Sequence, residues 1–526
     1  MRFKLASLVG AFLAALLFAA PARADWIEGR TTHFTFYGDM APDAMRRIAE
    51  RLERYDAALR RITSARATAP VTIYLVPTMA DVQDLYGAGG GSVGGFYTAS
   101  SQGALAFVPL SDSSHGSQYA VRPIQILYHE YAHHMLLGNV DQYLPGWASE
   151  GMAELFMTVD FAGDGSLTFG APSMNRGFGV MANDRFTLEQ LLLSDSRRLS
   201  PQETEQKYSR GWLLVHYLLL SGNRPGQFAK FIELINQAVP VLDAARQAFG
   251  DLGRLNQEFD RYRRTPRFRG FRLTSDQLGG NPQVAIRTLR PGEAAMMPLR
   301  MRSARGVNAQ TAPRLVGPAR RVAAQYPSDP FVQRALTEIE FDANNLAEAE
   351  AAADRTLAIE PNNLMAMAYK ARVLGRRTAA NRGDAAAWRT VRSWIVRANR
   401  IDSDHALPLV LYYDSFTSAG QAVPEAAMTG LLRSVVLVPQ DDSLRLRIAY
   451  DRLKAGDLPA ARRVLAPLAF SAHGGGDNIA LQIVNKIDAR EPAEAILKVA
   501  TDAHFDSVNE FTPPTPPAAP APPTGS

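Results

Sequence analysis

Apolar positions along the first half of this 526-residue chain follow two rhythms, and the switches between them outline the elements. His33 to Tyr37 reads as a strand. From about Pro42 to Ile62, Met45, Ile48, Leu52, Tyr55 and Leu59 fall at helical spacing, so one face of that helix is apolar. Val71 to Val76 is a second strand, and a short helix is expected near Asp81 to Tyr86. Gly87 to Gly95 holds six glycines in nine positions and can support no regular element, so it reads as a mobile loop. It lacks the Gly-Lys-Ser/Thr ending of a phosphate loop. Phe96 to Thr98 and Ala104 to Pro109 read as strands of a small sheet. Arg122-Pro123 then opens a helix carrying Ile124, Ile126, Leu127, Tyr128, Leu136 and Leu137. Pro145-Gly146 breaks the chain, and Trp147 to Met157 forms the next helix.

Asp160 to Gly170 is a turn-rich hairpin around Asp164-Gly165. Trp212 to Leu220, Phe228 to Ala238 and Val241 to Phe249 are helical, and the pattern ends near Tyr262. Residues 266–312 mix Gly279-Gly280, Asn281-Pro282 and Pro291-Gly292 with short strand-like pieces, the composition of a linker or small adaptor. Beyond it the chain repeats itself. Ala324-Gln325-Tyr326-Pro327 and Ala358-Ile359-Glu360-Pro361 lie 34 residues apart, and weaker echoes follow, at Asp402 42 residues after Glu360 and at Val438 36 residues after that. The longer interval implies an insertion of eight residues near Ala379 to Ala387. Thr512 to Ser526 is proline-rich and poor in large apolar residues, a disordered tail.

Composition adds a compartment. Arg2 and Lys4 precede the apolar run Leu5 to Ala20, and Ala22-Arg23-Ala24 presents small residues where a signal peptidase reads, so 1–24 is expected to be a signal peptide cleaved after Ala24. No later stretch is long and apolar enough to span a membrane. With no cysteine the chain has no disulfide and no lipid-attachment thiol, and an exported protein follows; the periplasm fits best, with secretion as the other destination. The charge of +5 includes Arg2, Lys4 and Arg23, which leaves about +2 on the mature chain. Arginine is spread through helices, so nucleic acid is not an expected partner.

His129-Glu130-Tyr131-Ala132-His133 changes the picture most. Two histidines at i and i+4 stand about 40° apart and about 6 Å apart along a helix, so both imidazoles reach one cation. Glu130 lies beside them, able to take a proton from a metal-activated water without ligating the metal. Two imidazoles on an apolar stripe are costly to desolvate unless a metal and hydrogen-bonded neighbours hold them. Glu150 and Glu154 form a second i, i+4 pair, Glu150 as third ligand and Glu154 as an orienting partner for a ligand histidine. The pattern H-E-x-x-H-x-x-G-x-x-H is excluded, because Leu136 and Asn139 stand where it needs glycine and histidine. Tyr208 and His216 are candidate donors to the oxyanion formed when water attacks a carbonyl.

His129-Glu130-x-x-His133 followed by Pro145-Gly146-Trp147-Ala148-Ser149-Glu150-Gly151-Met152-Ala153-Glu154 resembles the gluzincin metallopeptidases, most closely the bacterial peptidase MA-like domains. The resemblance covers about 25–265 and implies one zinc per chain, held by His129, His133 and Glu150, with Glu130 as base and a peptide or protein as substrate. If Ala104 to Pro109 is the sheet edge facing the cleft, as in gluzincins, an extended peptide adds to it as a further strand. Residues 313–470 resemble degenerate tetratricopeptide repeats, whose stacked helix pairs offer a concave face to a protein partner. The fold class expected is therefore an α+β zincin-like metallopeptidase domain, a small mixed sheet with helices, followed by an all-α tetratricopeptide-like helical repeat domain over 313–511. Each part is expected to fold alone. The competing expectation is a periplasmic scaffold whose repeats bind partners and whose zinc domain is structural or silent. Glu130 weighs against it, since a structural site has no use for a base.

Overall fold

The computed structural model describes residues 26–63, 69–87, 93–111, 122–137, 144–172, 186–196, 199–265, 267–379, 384–470 and 478–512. The expected signal peptide, most of the glycine loop, Asn139 and the tail beyond Thr512 lie outside the described residues. The chain is mixed α/β at its N-terminal end and all-helical through its C-terminal region.

A six-stranded sheet forms the centre of the first part. It comprises β1 (Trp26–Arg30), β2 (Phe34–Asp39), β3 (Val71–Val76), β4 (Phe96–Ser100), β5 (Gly103–Pro109) and, from far along the chain, β9 (Ala285–Thr288). The order is β4-β5-β3-β2-β1-β9. β2, β3 and β5 run parallel, while β4 and β1 are antiparallel to their neighbours, so the sheet is mixed. α1 (Pro42–Thr63) makes the crossover from β2 to β3, and α2 (Met79–Tyr86) follows β3 with a capping box of Thr78 and Asp81. The edge expected at Ala104 to Pro109 is displaced: β5 is paired on both sides, and the tight hairpin at Ser101 and Gln102 folds β4 outside it as the true edge.

Strand β3 shows why this sheet is buried on both faces. Val71, Ile73 and Leu75 point to one side and Tyr74 and Val76 to the other, and all five are almost fully buried. On the first side Met45, Leu52, Tyr55 and Leu59 of α1 pack with α3 (Pro123–Leu137). Burying each such side chain contributes about 1.5–3 kcal/mol. On the second side Tyr37, Tyr74, Phe107 and Phe96 stack in a row with centroids 4.6–5.6 Å apart.

After α4 (Gly146–Met157), a small second sheet is built from β6 (Asp160–Phe161), β7 (Leu167–Phe169) and β8 (Phe271–Leu273). Helices α5 (Leu188–Leu192), α6 (Pro201–Leu220), α7 (Gln227–Asn236), α8 (Val241–Phe249) and α9 (Leu252–Tyr262) complete this part. The stretch 266–312, expected as a linker or small adaptor, supplies β8 to one sheet, β9 to the other and then α10 (Pro291–Ala304).

The remainder is helical: α11 (Ala312–Gln325), α12 (Pro330–Asp342), α13 (Leu346–Ile359), α14 (Leu364–Thr378), α15 (Ala385–Ile401), α16 (Ala406–Ser418), α17 (Glu425–Leu437), α18 (Asp442–Lys454), α19 (Leu458–Ala469), α20 (Ile479–Asp488) and α21 (Ala493–Asp502). The repeated landmarks at Tyr326, Glu360, Asp402 and Val438 fall in the turns before α12, α14, α16 and α18, as a helical-repeat-like architecture requires.

This helical region curls back on the sheet. Met297 and Met301 of α10 and Phe331 of α12 cover the aromatic row. Arg287 on β9 bridges Glu28 and Glu293 at 2.7 Å each, and Arg290 pairs with Asp329 at 2.9 Å. Farther along, Tyr369 of α14 meets Gln102 in the β4–β5 turn at 3.1 Å, and the Ala69 amide donates to the Leu437 carbonyl at 3.0 Å.

Candidate metal centre

Two helices make the site, and each is fixed from behind. α3 starts at Pro123, whose missing amide hydrogen costs nothing at a first helical position. Tyr55 donates to the Tyr128 carbonyl at 2.8 Å, and Tyr131 donates to Asp56 at 2.6 Å, holding α3 on α1. α4 starts at Gly146, whose amide donates to Asp195 at 2.5 Å; the same carboxylate receives Lys207 at 2.7 Å. An anion at a helix N-terminus also suits the helix dipole. A Cβ at residue 146 would lie 2.6 Å from both groups, so a larger residue there would displace the ion pair. Behind α4, a Cβ on Gly151 would meet the Gly211 carbonyl oxygen at 2.4 Å, and one on Gly211 would meet that of Trp147 at 2.5 Å. α4 and α6 therefore cross backbone to backbone, one residue from Glu150.

The crossing aims three donors at one point. His129 Nε2 and His133 Nε2 are 3.2 Å apart, and the Glu150 oxygens lie 3.2 Å from the first and 3.4 Å from the second. Atoms bound about 2.0–2.1 Å from a tetrahedral zinc stand about 3.3 Å from each other, so the nitrogen–nitrogen and nitrogen–oxygen separations, and the N, N, O chemistry, suit a zinc site. His133 Nδ1 lies 3.2 Å from Ser149 Oγ, the contact that leaves Nε2 for a metal. Glu150 and Glu154 are buried at 0% and 1% exposure, whereas Glu130 is only half-buried. Burial opposes charge on His129, but the Glu150 carboxylate, with Glu154 and Glu130 behind it, outweighs this and raises the imidazole to about 9. Burial likewise opposes charge on Glu150, and the two histidines hold its carboxyl well below the usual carboxylate range. Three carboxylates, of Glu150, Glu154 and Glu130, thus act on the His129 imidazole, a donor set able to hold a metal ion.

Other predicted or nearby groups fall into place around this centre. His216 is a core residue: its ring nitrogens lie 2.9 Å from the Tyr262 hydroxyl and 3.1 Å from the Gly170 carbonyl, and its ring packs on Trp212 and Phe268. That leaves no N–H for an oxyanion, which corrects the expectation for His216. Burial lowers its pKa, in keeping with a neutral ring. Tyr208 is half-buried on α6, one turn ahead of the crossing at Gly211. His134, next to the second ligand, receives Tyr97 of β4 at 2.7 Å and stacks on Tyr131. Burial, helped by Arg60, lowers its pKa to about 3, against the pull of Gln440 from the turn before α18. Gly94, at the end of the glycine loop, lies over Ile126, where a Cβ would come within 2.7 Å.

A second cluster of ligand-type residues, His33, Glu53 and Asp56, is an ion-pair network. His33 Nδ1 reaches Glu53 at 2.9 Å and Asp56 at 3.2 Å, and Asp56 also accepts from Arg60 and Tyr131. Arg60 already supplies a cation to Asp56 there. Ser149, Asp195, Lys207 and Tyr97 were not foreseen as site residues; Ser149 adjoins Glu150, but the others come from distant elements and carry no motif. No protein-family model matches the chain, and no curated protein matches it either.

Proposed function

We propose that this protein is a zinc-dependent metallopeptidase of the gluzincin type, and that its helical region is of the tetratricopeptide kind. The observation that carries the reading is the donor cluster of His129, His133 and Glu150, with the two Nε2 atoms 3.2 Å apart, one Glu150 oxygen 3.2 Å from the first and the other oxygen 3.4 Å from the second, and a carboxylate at Glu130 next in the chain. Zinc, when bound there, supplies a Lewis acid that acidifies water and polarises a carbonyl. Glu130 takes a proton from the water as it attacks the scissile carbonyl and returns it to the leaving amine. Ser149 holds the tautomer of His133, and Glu154 supports His129 electrostatically. Tyr208 is the donor proposed for the oxyanion. An extended peptide adds to edge strand β4, which Tyr97 fastens to α3 beside the clamp. The setting proposed is the periplasm.

Elemental analysis after dialysis, combined with a peptide-library digest, tests this. The purified chain should carry about one zinc. Glu130→Gln should keep it while losing about 10²-fold or more in turnover. Stoichiometric zinc in Glu150→Ala sinks the ligand set, and undiminished cleavage by Glu130→Gln sinks the mechanism.

A further inference from the structure

Beyond α21 the chain turns back into the helical region. Phe505 sits in the last apolar cluster, and residues 508–512 then cross α14, α16 and α18, the alternate helices whose common face looks toward the sheet. Their contacts come mainly from side chains. Asn509 donates to Ser418 at 2.8 Å, and the Glu510 amide donates to Asp414 at 2.8 Å. The Glu510 carboxylate takes Arg372 at 2.9 Å, lies 3.8 Å from Arg447, and accepts from Ser101 of the β4–β5 turn at 2.7 Å. Phe511, 1% exposed, fills a slot walled by Trp388 and floored by Gly375, where a Cβ would come within 2.3 Å of the ring. Arg376 donates to the Thr512 carbonyl at 3.2 Å.

These are the contacts of a bound peptide: an amide on a carboxylate, a carboxylate between two guanidiniums, a ring in a glycine-floored slot. The groups that make them sit on helices up to 75 residues apart in the chain, Arg372 to Arg447, and are themselves held by the stack; Arg447, for example, is fixed by Asp414 at 3.0 Å. Removing the segment would take the Glu510 carboxylate from Arg372 and open an aromatic-sized slot between Trp388 and Gly375. We propose that residues 508–512 are a ligand bound in cis: a strap that leaves its groove with the stack still folded, after which the groove takes an extended peptide bearing an acidic residue followed by an aromatic one. Because Glu510 also holds Ser101, release of the strap removes one tie on the hairpin that carries edge strand β4 and leaves that of Tyr369 to Gln102.

The test is peptide binding to the full chain. A fluorescein-labelled peptide of residues 505–516 is titrated against the wild-type chain and against the chain carrying Glu510→Ala and Phe511→Ala, followed by anisotropy. The substituted chain should bind it about tenfold or more tightly than wild type, whose own strap competes, and a peptide with the same two substitutions should lose about tenfold or more. Failure of a folded substituted chain to bind, equal binding of both peptides, or unfolding of the substituted chain each overturns the proposal. Hydrogen exchange on the wild-type chain decides independently: the Glu510 and Phe511 amides should exchange about tenfold or more faster than core amides of α14 to α18. Equal protection would make the segment part of the core.

Discussion

At the scale of single residues, the metal clamp divides into groups that bind and groups that aim. Glu150 closes the donor triangle, while Glu154 acts on His129 from one turn away and Ser149 fixes the far nitrogen of His133. Removing an aiming group leaves three ligands in place. Glu154→Ala and Ser149→Ala should therefore each weaken zinc binding by about 10- to 100-fold, measured by competition with a chelator, against complete loss for Glu150→Ala. Equal loss at Glu154 and Glu150 would reverse their roles. The ligand candidates were legible because helical spacing fixes which side chains share a face. His216 was misread for the same reason: an apolar helix shows that a histidine is inside, but its partners, Tyr262 and Gly170, come from elements that no periodicity connects to it.

At the scale of elements, the crossing of α4 and α6 sets where Glu150 points. Gly151→Ala would place a methyl 2.4 Å from the Gly211 carbonyl, and backbone cannot yield there. The helices must separate, so this one-carbon change should lower the melting midpoint and cost zinc affinity together; a variant with unchanged zinc binding would show that the crossing does not aim the ligand. The first half of α6 escaped the sequence because its inward residues are polar: Lys207 reaches Asp195, and Arg210 covers Phe259 at 4.9 Å. A buried charge looks like an exposed one in a hydrophobicity pattern, so the apolar rhythm starts only at Trp212 in a helix that begins at Pro201. A second buried charge gives a pH test. Asp441 caps α18 by accepting from the Ser443 amide, and burial raises its carboxyl to about 6, the Ser443 contacts and Arg447 opposing. With the folded pKa above the unfolded value, its contribution is fully present below about pH 4 and is lost as pH rises through about 6. Asp441→Asn keeps the cap without the charge. It should raise the thermal midpoint at pH 7 and leave it unchanged at pH 4; the same shift at both values would mean that the charge is not the cause.

At the scale of the whole molecule, the outer face of the sheet decides whether the two regions are separable. The turn-rich stretch 266–312 reads as a linker because its strands are only three and four residues long, too short for any alternation to show. In three dimensions those strands complete both sheets, and α10 and Phe331 cover Trp26, Tyr37, Tyr74 and Phe107. Exposing four such side chains costs about 6–12 kcal/mol, which is of the order of a domain's entire stability of about 5–15 kcal/mol. The expectation that 25–265 folds alone thus gives way to a different prediction. A fragment of residues 26–265 should show no cooperative unfolding by circular dichroism and hold no stoichiometric zinc, because α3 packs on a sheet that has lost an edge strand and one of its two covers. The helical region loses less, since its repeats bury their cores against one another, so residues 313–512 should keep most of their helicity alone. A folded fragment 26–265 with one zinc would show that the inner face of the sheet alone suffices to build the clamp, and the covering helices would then be a separate module resting on the enzyme.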